Sequence, residues 1–145
     1  MNFMNAMDIS ASGLTAQRNR MNLIAMNLSH MHTTQTPDGG PYRRKVAIFA
    51  SESLYPGLTG RFRGRLDREL ADVEVTQVVE DQRDFKMVFD PSHPDADQFG
   101  YVLMPNINVI EEMVDMISAK RAYEANVTAV SASHNMALKS LEILK

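Results

Sequence analysis

Four short stretches of this 145-residue chain hold residue types that could do chemistry. His30 and His32 form an HxH pair, a spacing at which two imidazoles can approach one metal ion. Such a site needs further ligands in fixed geometry. A histidine just past a helix also suits the negative end of the helix dipole, so a helix-end role is the expectation here. Asp90, His93, Asp95 and Asp97 crowd into a second stretch. Oxygen-rich loops can hold calcium, but this spacing is not that of an EF-hand and lacks its closing glutamate. Asp and Pro also build ordinary turns, which is the reading preferred. A third stretch, GRFRGR with Arg68, places Phe62 between arginines and could grip phosphates or stack on bases. Asp67 and Glu69 dilute it, and a solvated strand with Phe62 and Leu66 turned inward uses the same residues. Last, Glu111 and Glu112 are adjacent, and neighbours on a helix point in different directions, so they do not form an acid/base pair.

No glycine-rich phosphate loop and no nucleophile elbow is present. An enzyme is not expected, and neither is a metal, a cofactor or a small-molecule substrate. A formal net charge of -3 gives no general reason for a nucleic-acid partner. The absence of cysteine excludes disulfides and thiolate metal sites. MNFMNAMDIS shows no basic segment followed by an apolar run, so no secretory signal is expected. No run approaches the roughly 18 apolar residues of a spanning helix. Apolar residues make up 44% of the chain, enough to bury a core, and 11 methionines suit adaptable interfaces.

The elements that must position these groups differ between the ends and the middle. Met7, Leu14, Met21 and Leu28 fall seven apart and predict a helix over about 4–29. Gly13 inside it costs about 1 kcal/mol against alanine, so packing must compensate. Val109, Met116, Tyr123, Val130, Ala137 and Leu144 repeat the same interval near the C-terminus. Met113, Val127 and Leu141, with Lys120 and His134, are read as the second row of that seam. Asn108 with Glu111 forms a capping-box pattern, so this helix should cover about 108–144, roughly 55 Å at 1.5 Å per residue. The middle holds all 6 prolines and most of the glycines. TQTPDGGPY is turn chemistry, 46–50 reads as a strand, and 73–79 and 85–89 alternate as a hairpin closed by DQRD.

The predicted fold is therefore mainly α. Long N- and C-terminal helices pair as a coiled-coil domain, with a small β-rich, irregular middle segment. The expected division is 1–30, 31–105 and 106–145. Two helices paired alone leave apolar surface on their outer faces, so more protein should cover them.

ASGLTAQ (11–17) and RMNLIAMNLSH (20–30) resemble the N-terminal signature of flagellar rod and hook proteins, and GYVLMPNINVIEEMVDMISAKRAYEANV (100–127) resembles their C-terminal signature. PDGGPYRRK and DPSHPDADQFGYV are similar to segments of a proximal-rod member, whose short middle also fits better than the longer inserts of distal-rod and hook members. Where the family usually reads Asn-Leu-Ala-Asn, this chain has Asn27-Leu28-Ser29-His30. The resemblance implies a structural subunit of the proximal rod, the drive shaft that crosses the periplasm. Its terminal helices would form a coiled-coil inner domain, and copies would stack helically around the export channel and transmit torque. It would leave the cell unfolded through the flagellar type III apparatus. Its partners would be copies of itself, other rod proteins and the adaptor at the base of the rod next to the export gate. Met7, Leu14, Met21, Leu28, Met116, Tyr123, Val130 and Leu141 are the expected assembly residues, with Arg121, Glu124 and Asn126 orienting neighbours. Two other classes fit the residues less well. One is a cytosolic helical adaptor or export chaperone, which should be folded and helical alone. The other is a cell-wall enzyme, for which no catalytic pair is visible.

Overall fold

The computed structural model describes residues 3–37, 39–53 and 71–143. Helix α1 runs Phe3–Ser29, strands β1 and β2 run Lys45–Ser53 and Ala71–Glu80, strands β3 and β4 run Lys86–Phe89 and Tyr101–Met104, and helix α2 runs Val109–Ile143. The predicted ends of both helices hold to within a residue or so. Asn108 explains the start of α2: its Oδ1 accepts the backbone N–H of Ile110 at 3.1 Å, and its side-chain amide reaches Glu111 Oε1 at 3.3 Å. The cap is thus made, although Glu111 meets the side chain of Asn108 and not its backbone N–H. No described helix is long and apolar enough to cross a membrane.

The strands pair differently from expectation. β2 does not form a hairpin with β3. β1 pairs antiparallel with β2, from Lys45↔Glu80 to Ser53↔Ala71, with a bulge at Ile48/Phe49. β3 pairs antiparallel with β4, which the sequence did not mark as a strand. The reason lies in DQRD, which is clamped and cannot act as a free turn. Asp81 N–H donates to Arg44 O at 2.8 Å, Asn106 Nδ2 donates to the carbonyls of Asp81 and Arg83, and Arg43 Nη1 reaches the same two carbonyls. The arginine and asparagine donors hold the corner open, so each strand must find another partner.

The acidic stretch then becomes the β3–β4 loop. Asp90 Oδ1 accepts from the Ser92 N–H and hydroxyl, and Asp97 Oδ1 accepts from the N–H groups of Phe99 and Tyr101. This is the turn chemistry expected of Asp. Gly100 closes the loop at φ 79, and a Cβ there would stand 3.0 Å from the Phe89 ring, so glycine is required twice over. His30 stacks on Tyr42 with centroids 4.7 Å apart, and its Nδ1 lies 3.1 Å from Thr33 Oγ1. Among the described residues no group of three or more His, Cys, Asp or Glu is placed to hold a metal ion. The basic patch at 60–68 lies outside the described residues.

The two helices lie antiparallel, with Asn27 opposite Glu112, Arg20 opposite Asp115 and Gly13 opposite Asn126. The β1–β2 pair rests against α1, where Val73 N–H donates to Ser12 Oγ at 3.1 Å. Two strands alone are marginal in water, so this helix contact is what supports them. At Gly13 the helices approach closely: an added Cβ would sit 2.9 Å from Asn126 Nδ2. A Gly13→Ala change should be close to neutral, because alanine gains about 1 kcal/mol of helix propensity and a flexible amide can shift. Gly13→Leu should cost about 1–3 kcal/mol by overpacking, and Asn126→Ala should recover part of it. Urea denaturation of the three variants checks this, and a Gly13→Leu chain as stable as the parent would remove the notch from the account.

Candidate assembly interface

The face of α2 that meets α1 is small and polar. Glu112, Ala119 and Ser133 are buried at intervals of seven, and half-buried Asn126 completes the row. Val109, Met116, Tyr123, Val130 and Ala137, the predicted seam, lie half-buried beside it. The second row is therefore not Met113, Val127 and Leu141, which are all exposed. Small side chains let two helix backbones approach, and the bulkier row one residue along is excluded to the outside. On α1 the fully buried residues are Ala16, Ile24 and Asn27. Met7, Leu14, Met21 and Leu28 are half-buried and sit roughly a quarter turn away, by the 100° step of an α-helix. Arg121 and Glu124 are exposed, and Lys120 Nζ lies 3.8 Å from Glu124 Oε1. The Asn126 amide faces Gly13 of its own chain. Leu141 lies on that outward row with Met113 and Val127, and also beyond the start of α1, which the register carries to about Met136.

At the other end of the helix pair is a polar hub that sequence reasoning missed. Asn27 is 1% exposed and Glu112 0%. Asn27 Oδ1 accepts from Lys45 N–H at 2.9 Å and Tyr42 Oη at 3.1 Å, and its amide donates to Lys45 O at 3.0 Å and Glu112 Oε2 at 3.2 Å. Every hydrogen-bonding position of that amide is engaged by α1's neighbours. Arg44 Nε pairs with Glu112 Oε1, Nη2 with Asp115 Oδ2 at 3.2 Å, and Nη1 lies 3.8 Å from Asp81 Oδ2. Arg20 closes the set on Asp115 Oδ1 at 3.0 Å. One guanidinium and one amide thus join both helices to the middle segment. Neither Arg44 nor Asn27 signals this in the sequence, since Glu112 lies 68 and 85 residues away from them.

Tyr42 is the buried aromatic member of the hub. Burial, helped by the negative charges of Glu80 and Glu112, raises its phenol above the ordinary value of about 10. The folded pKa exceeds the unfolded one, so this contribution is intact below pH 10 and is lost as pH rises past the folded value. Ultraviolet titration should show a late-ionising tyrosine that disappears in Tyr42→Phe. A variant with an unchanged titration curve would contradict the burial argument. Asp81 moves the other way: the Arg83 backbone N–H holds its carboxyl below the usual range, with the Arg83 and Arg44 guanidinium groups adding to the effect.

The opposite surface is apolar and uncovered. Among the described residues five hydrophobic residues are fully buried, while nineteen large ones are exposed. Nine of the nineteen lie on α2, from Ile110 to Ile143. Isolated exposed hydrophobics are ordinary, but groups of them on the outward side of one helix, here at 110–117 and 136–143 with Val127 between, mark contact with other protein. The arrangement supplies adhesion along α2 and a rigid polar joint at its N-terminal end, with no group placed for catalysis among the described residues.

Comparison with known proteins agrees with this character. Residues 98–143 match the family described as "Flagellar basal body rod FlgEFG protein C-terminal". The flagellar basal-body rod protein FlgC of Borreliella burgdorferi is 43% identical, over 100% of this chain and 99% of that protein. FlgC of Bacillus subtilis is 42% identical over 97% of each chain, and FlgC of Aquifex aeolicus 41% over 100% and 99%. With such identity along nearly the whole length, and two long helices with an outward apolar face, the chain belongs to the FlgC family of flagellar basal-body rod proteins.

Proposed function

We propose that the chain is a proximal-rod subunit whose terminal helices assemble with those of its neighbours into a coiled-coil inner wall around the export channel. Membership of the family makes it a structural component of the flagellar basal body, not an enzyme, that assembles with other basal-body rod proteins. The finer reading divides the chain into an inner domain of 1–30 and 106–145 and a middle segment of 31–105. Copies of the chain, other rod proteins and the adaptor at the rod base next to the export gate are its neighbours. It reaches the periplasm unfolded, by type III export without a secretory signal, and there transmits torque. The supporting observation is the outward apolar face of α2, which one chain cannot cover. Met7, Leu14, Met21, Leu28, Met116, Tyr123, Val130 and Leu141 remain the assembly residues proposed, with Arg121, Glu124 and Asn126 setting orientation. The adaptor or chaperone alternative has no support among the relatives described above, which all carry rod names.

The test is genetic and biochemical. A strain lacking the chain should not swim, and restoring it should return swimming and place the chain in purified basal bodies. Recovery of the chain only from the cytosol, in cells that swim, would defeat this reading.

A further inference from the structure

The β3–β4 hairpin shows one apolar side to solvent. Met87 pairs with Leu103 and Phe89 with Tyr101, so all four side chains share a face, while Val102 on the other face is buried. Met87 is 67% and Phe89 64% exposed, and Phe99 at the loop is 77% exposed. A cleft beside this face is lined by Met87, Tyr101 and Leu103 together with Asp95 and Asp97. From residue 87 to 101 the chain carries Asp90, Asp95 and Asp97 but no Lys or Arg. The hairpin is therefore apolar with an anionic rim.

Its complement lies on α2. Ile110, Val114, Ile117 and Arg121 recur at intervals of four, three and four, which puts them on one exposed stripe. Among the described residues Arg121 has no ion-pair partner, whereas its neighbour Glu124 is taken by Lys120. Three aliphatic side chains ending in a free cation match an apolar face ending in carboxylates.

We propose that the hairpin of one copy docks on the Ile110–Arg121 stripe of α2 in a second copy, with Asp95 meeting Arg121. This rests on the rod-assembly reading and names one of its contacts. Charge complementarity selects the second copy as occupant. Both surfaces belong to the same chain and both stay exposed in it, so the contact forms between chains. Hairpin to helix is a head-to-tail contact, and such contacts repeat as open helical arrays. Asp97 is not the partner of choice, because its Oδ1 already holds the Phe99 and Tyr101 N–H groups; Asp95 accepts the Thr34 hydroxyl on Oδ2 at 2.7 Å, which leaves its Oδ1 for Arg121.

The experiment is a charge exchange in cells that carry the chain as their single copy. Arg121→Asp should shrink swimming rings in soft agar several-fold, Asp95→Arg should do the same, and the two combined should restore at least half the wild-type diameter. Wild-type rings from either single change would overturn the contact. Failure of the combined variant to exceed the single ones would mean that another protein covers the hairpin, which also overturns it. Should Asp95→Arg disturb the loop, Phe99→Cys/Ile117→Cys keeps the question decidable, since the natural chain has no cysteine. In basal bodies that contain this variant a short bismaleimide should give a ladder of multimers, and its absence there would count against the contact. Incorporation of the unaltered chain into basal bodies is scored separately, so loss of this contact leaves the rod reading standing.

Discussion

Replacing Arg44 with leucine is expected to remove about 3–5 kcal/mol of folding stability, the cost of leaving a buried charge without its partner. Glu112 has no exposure to water, and Arg44 Nε is its counter-charge, with the Asn27 amide as the remaining donor. The 15% exposure of the Arg44 side chain leaves little solvent to screen the loss. Asp115 contributes less, since it is 36% exposed and keeps Arg20. Glu112→Gln should cost less than the arginine loss, about 1–2 kcal/mol, because the amide keeps the shape and part of the bonding while Arg44 retains Asp115 and Asp81. Arg44→Leu/Glu112→Leu should be less damaging than Arg44→Leu alone, because neither charge is then stranded. Urea denaturation followed by helical ellipticity gives all three values. If Arg44→Leu falls within 1 kcal/mol of the parent, water reaches Glu112 and the hub is not the joint described here. A weakened joint would also let the middle segment swing on the helices, so a swimming defect should accompany the lost stability.

Val130→Asp should abolish swimming while the chain is still made in normal amount. Val130 is half-buried beside Asn126 and Ser133 on the face where α2 meets α1. A carboxylate there has one side against protein already and loses the other when a neighbour docks. Burying a polar group without a partner costs about 1–3 kcal/mol in proteins, and more if it stays charged. The cost is paid at every copy, so a modest penalty per subunit stops a repeating structure. Immunoblots of whole cells measure synthesis, and soft-agar rings measure assembly. Ordinary rings from this strain would count heavily against an inner wall built on the helix seam.

Much of the helical half was legible in the residues. Seven-residue spacing of Met7 to Leu28 and of Val109 to Ala137 placed both helices, and Asn108 placed the start of α2, because caps and periodicity are local properties. The turn role of Asp90 and Asp97 was legible for the same reason. Which of two adjacent rows packs inward was not. Met113 and Glu112 differ by one position, and hydrophobicity favours the wrong one. Glu112 goes inside only because Arg44 and Asn27 arrive there from distant parts of the chain.

Strand pairing shows the same division. The alternating pattern revealed 73–79 and 85–89 as strands, but not their partners, since DQRD looks like a loop until Arg43 and Asn106 bind its carbonyls and the Arg44 carbonyl takes the Asp81 N–H. By itself, then, the sequence determined where the helices lie, which residue caps the start of α2 and that one helix pair leaves much apolar surface exposed. The tertiary structure decided which faces meet, which strands pair and where the buried charges sit. The physical reason is range: propensity, capping and period act within a few residues, whereas a buried ion pair or a ladder needs partners that only the folded chain brings within hydrogen-bond distance.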